Sequence, residues 1–256
     1  HIELNNEVTK RKDNGFFNLE KDQEALKVYL EEIHDKTIYF DSEIERLHYL
    51  VDNHFYFNVF KKYSEEDLIE IIEFAKSINF EFASYMSASK FYKDYALKTN
   101  DKSKYLEDYN QHVAIVALYL ADGNKEQAKQ FILAMIEQRY QPATPTFLNA
   151  GRARRGELVS CFLLEVDDSL NSINFIDSTA KQLSKIGGGV AINLSKLRAR
   201  GEAIKGIKGV AKGVLPVAKA LEGGFSYADQ LGQRPGAGAV YLNIFHYDVE
   251  EFLDTK

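Results

Sequence analysis

Two short apolar runs on either side of one helix-length segment constrain this chain more than anything else in it. Residues 159–166, Val-Ser-Cys-Phe-Leu-Leu-Glu-Val, are nearly all apolar over a strand's length, the pattern of a strand covered on both faces. Asp167-Asp168-Ser169-Leu170 follows, with carboxylate and hydroxyl groups able to accept the free N–H groups of a helix start. Ile173, Phe175, Ile176, Ala180 and Leu183 keep roughly helical spacing up to Lys185, Gly187-Gly188-Gly189 stops the helix, and residues 190–194 read as a second strand. Strand, helix, strand is the repeating unit of a parallel sheet. Cys161, the one cysteine of the chain, falls on the first of these core strands.

Glycine and proline divide the chain. All four prolines and fourteen of the sixteen glycines lie after residue 141. Before that point, residues 17–35, 41–53, 64–78 and 86–98 carry apolar residues at three- and four-residue spacing, and 105–121 with 124–140 read as a helical hairpin turned at Asp122-Gly123. Ser42-x-x-Glu45 has the capping-box pattern, and Ser64-x-x-Asp67 is a weaker relative of it. Tyr29, Tyr49, Phe55, Tyr56, Phe57 and Phe60 read as core, since no basic stripe interleaves with them to make a base-stacking platform. Residues 141–151 are expected to be extended and turn-rich by their prolines. The helix over 214–228 uses Val214, Val217, Ala218, Leu221, Phe225 and Ala228 as its buried face, residues 240–245 read as a third strand, and Asp248 opens a further helix. Three parallel strands leave open edges, so more of the sheet is expected from elsewhere.

Charge follows the same division. Residues 1–141 hold 18 Lys and Arg against 26 Asp and Glu, whereas residues 152–234 hold 13 against 8. The glycine-rich part is the basic part, which points to a local anionic ligand more than to duplex DNA. No DNA partner is expected. The longest apolar run, residues 113–121, falls far short of the roughly 20 residues of a membrane helix, so no membrane partner is expected either. One cysteine makes no internal disulfide, which fits a reducing compartment and the cytoplasm. Six histidines without paired spacing and one cysteine give no metal centre.

The basic part holds the candidate chemistry. Residues 205–213, Lys-Gly-Ile-Lys-Gly-Val-Ala-Lys-Gly, form a flexible basic loop able to hold phosphates, although neither G-x-x-x-x-G-K-[ST] nor G-x-G-x-x-G occurs. Asp168 and Arg198 flank the crossover, which suits a nucleotide: carboxylate to ribose hydroxyl, guanidinium to phosphate. A structural helix cap and a surface arginine account for the same two residues. Cys161 reads either as a small core hydrophobe or as a reactive thiol.

Several blocks in order go further: residues 143–151 (Ala-Thr-Pro-Thr-Phe-Leu-Asn-Ala-Gly), 157–164 (Glu-Leu-Val-Ser-Cys-Phe-Leu-Leu), 168–170 (Asp-Ser-Leu), 186–190 (Ile-Gly-Gly-Gly-Val), 197–199 (Leu-Arg-Ala) and 233–236 (Gln-Arg-Pro-Gly). Together they resemble the large catalytic subunit of class I ribonucleotide reductase, the class Ib branch in particular, and the helical first part fits that family's N-terminal region. The resemblance implies an α/β fold: a helical N-terminal domain followed by the first strands of a ten-stranded α/β barrel. It divides the chain into a helical region over 1–80 like a reduced ATP cone, a helical domain over 81–158 leading into the barrel, and the first part of the barrel over 159–256. No complete overall-activity site is expected in the short first region.

It also implies roles. Cys161 resembles one of the two thiols that reduce a ribonucleoside diphosphate and become a disulfide, and Thr144, Ser160 and Gly189 match substrate-contacting positions. Asp168, Ser169, Leu170, Lys185, Arg198, Lys205 and Gly206 match the allosteric specificity site, which takes a deoxynucleoside triphosphate or ATP, with Mg2+ in company. Asp229, Gln230, Gln233 and Arg234 lie in the loop that relays effector identity. The helices over 171–185 and 211–228 match the pair that packs against a second subunit in a homodimer. The implied partners are a radical-generating small subunit with a metal cofactor, a thioredoxin- or glutaredoxin-like reductant and the remainder of the barrel. The family's second reducing cysteine and radical-bearing cysteine are absent here, so this chain alone is expected not to turn over. A module of another class, which only dimerises and senses deoxynucleotides, is the alternative.

Overall fold

The computed structural model describes residues 1–154, 156–159, 161–186, 188–228 and 236–255. Ser160, Asp229, Gln230, Gln233 and Arg234 therefore lie outside the described residues. The chain forms two compact units, residues 1–142 with 150–154, and residues 143–149 with 155–256.

The first unit is helical: α1 (Ile2–Glu7), α2 (Glu20–Asp35), α3 (Glu43–Asp52), α4 (Glu65–Ser77), α5 (Tyr85–Lys90), α6 (Tyr109–Ala121) and α7 (Lys125–Ile136). Its centre is α6, where Val113, Ala114, Ile115, Val116, Ala117 and Leu118 are all buried and against which α4 and α7 pack. The long apolar run of the sequence is thus a helix buried all round, and no described helix is long and apolar enough to cross a membrane. Ser42 and Ser64 cap α3 and α4 by accepting the Glu45 and Asp67 N–H groups at 3.1 and 3.2 Å. Glu45 reaches back one residue past the expected box position, accepting the Asp41 N–H at 3.2 Å. Asp122 (φ 50°) and Gly123 (φ 99°) make the expected turn between α6 and α7.

Several helices are shorter than their periodicity, α7 among them, which ends at Ile136. The segment expected over 86–98 is α5 followed by one π turn at Phe91–Tyr95. The helix expected from residue 105 begins at Tyr109, because Tyr105 exchanges backbone bonds with Lys36 and Ile38 at 2.9 Å each, and Asp108 with Gln111 then closes a reciprocal capping box. Of the aromatics read as core, Tyr29 and Tyr56 are buried, whereas Tyr49 lies at the surface.

The second unit contains α8 (Thr144–Asn149), β1 (Cys161–Glu165), α9 (Leu170–Lys185), β2 (Gly189–Asn193), α10 (Leu215–Tyr227), β3 (Gly238–Tyr241) and α11 (Val249–Leu253). The strands form a parallel sheet in the order β1-β2-β3, with Cys161 opposite Gly189 and Val190 opposite Gly238. Helices α9 and α10 cover one face, where Ile176, Ala180, Val190, Ile192, Leu221 and Phe225 form the core with Val166, Leu194, Leu197 and Val214. This is the start of the expected α/β arrangement as an open sheet.

Several expectations need correction here. Residues 141–151 are not wholly extended: they contain α8, because Pro145 sits in its first turn, where the missing N–H has no intrahelical partner to lose. Among the described residues β1 is covered on one face only, so Cys161 is exposed and Leu163 is 80% exposed. Residues 211–214 precede α10 rather than belonging to it. The third strand stops at Tyr241, and the Asn243 N–H turns to the Ser195 hydroxyl at 2.9 Å. Asp248 precedes α11 without capping it.

Candidate functional site

Alternation along the strands sorts the sheet into two faces. Register places Cys161, Leu163, Glu165, Gly189, Ala191, Asn193, Ala239 and Tyr241 on the face away from α9 and α10. Around the thiol this face is built of small residues, since Gly189 is its direct neighbour on β2 and Ala191 and Ala239 follow. A ligand can therefore approach the sheet backbone beside Cys161. Gly188 has another duty: a Cβ there would stand 2.1 Å from the Phe162 ring, so its bareness serves packing. Thr144 opens α8, which is tied to the approach to β1 by Thr146 Oγ1 donating to the Leu158 carbonyl (2.9 Å) and Asn149 Nδ2 to that of Glu157 (3.1 Å).

A second group of predicted residues gathers at the start of α9. Ser169 is its N-cap and accepts the Ser172 N–H at 3.1 Å. Asp168 is free of capping duty: its carboxylate accepts Arg198 Nε at 2.8 Å and the Arg198 backbone N–H at 3.3 Å. Arg198 Nη1 donates onward to the Ala203 carbonyl at 3.0 Å. That contact leads into a small hairpin, in which Ile204 and Ile207 exchange both backbone bonds at 3.0 Å. Lys205 (φ 50°) and Gly206 (φ 84°) form its two-residue tip, both left-handed, as a type I′ turn requires. Lys196 was not among the predicted site residues, although it alternates with Arg198 and Arg200; it pairs with Glu165 (2.8 Å) and Asp167 (3.1 Å), and these bonds raise its pKa.

The fold thus brings together Asp168, Ser169, Leu170 and Arg198, with Lys205 and Gly206 at the tip of the adjoining hairpin. It does not bring Lys185 to them. Lys185 ends the helix that Leu170 begins, about 22 Å away along the axis at 1.5 Å per residue. Asp168 is already paired with Arg198, and no group of three or more His, Cys, Asp or Glu able to hold a metal occurs among the described residues. Leu170, Phe175 and Tyr227 expose large apolar surface on α9 and α10.

Comparison with known proteins covers the chain almost end to end. Residues 1–80 match the ribonucleotide reductase N-terminal domain, 81–155 the ribonucleotide reductase all-alpha domain and 159–256 the ribonucleotide reductase barrel domain. The ribonucleoside-diphosphate reductase subunit alpha of Bacillus subtilis (strain 168) is 56% identical over 257 residues, covering 100% of this chain and 37% of that protein. The subunit alpha of Mycoplasma pneumoniae is 48% identical over 237 residues, covering 92% of this chain and 33% of its own length. The ribonucleoside-diphosphate reductase large subunit of vaccinia virus (strain Copenhagen) is 30% identical over 202 residues, covering 78% of this chain and 25% of its own. The chain spans little more than a third of the length of its Bacillus relative. With three successive domains matched in order and more than half of its residues shared with the Bacillus subunit alpha, the chain belongs to the class I ribonucleotide reductase large-subunit family.

Proposed function

We propose that this chain supplies one redox thiol and the effector-sensing surface of a ribonucleoside-diphosphate reductase. The observation that carries the reading is the placement of Cys161, exposed on the sheet face away from α9 and α10, directly opposite Gly189. A ribonucleotide lying on that face meets the thiol with no side chain interposed on β2. The reduction consumes two thiols: each gives up one hydrogen, the ribose loses its 2′-hydroxyl as water, and the two sulfurs join. The chain has one cysteine, so the second thiol belongs to residues outside these 256 and must come within bridging reach of Cys161. The radical that starts the reaction is supplied by the small subunit, and a dithiol reductant reopens the disulfide after each turnover.

The cluster at the start of α9 takes the effector. Arg198 meets the phosphates of a deoxynucleoside triphosphate or ATP, Asp168 the sugar hydroxyl, and Lys205 and Gly206 close over it from the hairpin tip. Helices α9 and α10 form the homodimer contact, supported by the apolar surface they expose. In a dimer, Lys185 of one copy serves the site of the other, which agrees with its distance from Asp168 within one chain.

The test is Cys161→Ser in the full-length subunit, assayed with its small subunit and a dithiol reductant. Dithiol-driven turnover should be abolished while effector affinity by calorimetry stays unchanged. Retention of turnover would overturn the reading.

A further inference from the structure

The hairpin that carries Lys205 and Gly206 is held at its base by groups from the segment after β3. Asp248 is only 6% exposed, yet it caps nothing in its own helix. Its carboxylate instead accepts the Arg200 N–H (2.9 Å to Oδ1, 3.2 Å to Oδ2) and the Val214 N–H (3.0 Å to Oδ2). These two amides enter and leave the segment that forms the hairpin. Within it, the Gly201 N–H donates to Ala211 and the Ala211 N–H to Glu202, at 3.0 and 3.2 Å. His246 adds a bond two residues earlier in chain order: its Nε2 donates to the Leu197 carbonyl at 2.8 Å, and its Nδ1 accepts the Asp248 N–H at 3.1 Å. Glu251 holds the Arg200 side chain at 2.8 Å. Gly213 is shaped to this contact, since a Cβ there would stand 2.3 Å from Asp248 Oδ2 and 3.0 Å from the Arg200 N, and its φ of +77° is left-handed.

We propose that Asp248 is a positioning residue for the effector site: its buried carboxylate clasps both ends of the Arg200 to Val214 segment and so fixes where Arg198 and the Lys205-Gly206 tip stand. The inference rests on the reading of the Asp168–Arg198 cluster as that site. The physical case is one of shared cost. A hairpin free at both ends loses conformational freedom when it closes on a ligand, whereas one whose ends are pinned by charge-assisted bonds has lost most of it already. Asp248 touches no ligand in this scheme. It acts through backbone amides on groups that do. His246 reinforces it by fixing the carbonyl just before Arg198.

The test uses the full-length subunit and deoxythymidine triphosphate as the probe, with calorimetry for affinity and hydrogen exchange for the Arg200 and Val214 amides. Asp248→Asn keeps the shape and replaces one acceptor oxygen with a donor. It should speed exchange at both amides and weaken the triphosphate about tenfold, a shift of ordinary coupling size, while the KM for a ribonucleoside diphosphate measured without effector stays unchanged. A merely structural role would lower substrate and effector affinity together. Gly213→Ala, which keeps the carboxylate and crowds it, should do the same and decides the matter if Asp248→Asn does not fold. Arg198→Ala is the control. If it weakens the triphosphate while both clasp variants bind normally, the clasp is refuted and the site stands. Should Arg198→Ala bind normally, the site reading itself falls, and the clasp's proposed role with it.

Discussion

Asp168 and Arg198, thirty positions apart, are joined by two hydrogen bonds, one to the guanidinium at 2.8 Å and one to the backbone N–H at 3.3 Å. The crossover through α9 brings them together, because parallel pairing returns β2 beside β1 and leaves the segments that follow both strands at the same end of the sheet. Both side chains are about one-third exposed. Their pairing therefore contributes on the order of 1 kcal/mol or less to folding.

That small contribution gives the first prediction. Asp168→Asn should leave the thermal midpoint within about 2 °C of the parent, a shift set by the size of the lost pair. It should nevertheless change effector binding, because it removes the anion facing Arg198 and the acceptor proposed for the sugar hydroxyl. Differential scanning calorimetry with and without ATP measures both. A large loss of stability together with normal ATP affinity would mean that the pair is a structural fastener.

A second prediction concerns the bare neighbour of the thiol. Strands in a ladder lie about 4.8 Å apart, so a branched side chain at position 189 would stand directly beside Cys161 on the face proposed for substrate. Gly189→Val should be tolerated by the strand, which favours β-branched residues. Turnover by the reconstituted reductase should fall about a hundredfold, the scale of a misplaced reactant. Iodoacetamide labelling of Cys161 should persist, separating a blocked substrate from a buried thiol.

Glu107 should contribute to the acid sensitivity of the helical unit. It is 1% exposed and accepts the Leu97 N–H at 2.7 Å and the Tyr56 hydroxyl, with His112 Nδ1 at 2.8 Å and Arg152 at 3.9 Å. Burial pushes its carboxyl up, but the charge and hydrogen bond of His112, with Arg152 and Arg46, outweigh that and hold it below its ordinary value of 4.5. A depressed carboxylate stabilises fully above its unfolded pKa, and that stability is lost as pH falls through the lower folded value. The urea midpoint of the unit should therefore drop below pH 4.5. Glu107→Gln should cost about 3–5 kcal/mol at neutral pH, as breaking a buried charge network does, and flatten the acid limb. An unchanged acid limb in that variant would assign the sensitivity elsewhere.

What the residues told in advance depended on whether the controlling contacts were local. The β1-α9-β2 crossover was legible because two apolar runs, a Ser169 cap and a glycine stop each act within a few residues. The helix at 144–149 was not, since Pro145 marks both a helix's first turn and an extended segment, and the Thr146 and Asn149 bonds that favour the first lie across a turn. The exposure of Cys161 was hidden for a different reason. Leu163 is apolar on a face that nothing among the described residues covers, and an apolar run reads the same whether its cover belongs to this segment or to another. The helix start at Asp248 was legible, but the use of its carboxylate was not, because the amides it accepts come from residues 200 and 214.

Ser169 separates helix capping from ligand binding. Its hydroxyl accepts the Ser172 N–H at 3.1 Å, and the Ser172 hydroxyl in turn accepts the Asp167 N–H at 2.9 Å, so the turn entering α9 is closed from both sides. Ser169→Ala removes the cap and should cost about 1 kcal/mol, seen as a midpoint lowered by about 2–4 °C for a protein of this size or larger. Ser169→Asp should behave in the opposite sense. Aspartate caps as well as serine and is favoured by the positive end of the helix dipole, so stability should be kept. Yet it sets a third successive carboxylate where the phosphates are proposed to lie, and repulsion should weaken a triphosphate about tenfold or more at low salt, recovering as salt is raised. Calorimetric titration with ATP at two ionic strengths reads this directly. Unaltered affinity in the aspartate variant at low salt would place the triphosphate away from the start of α9.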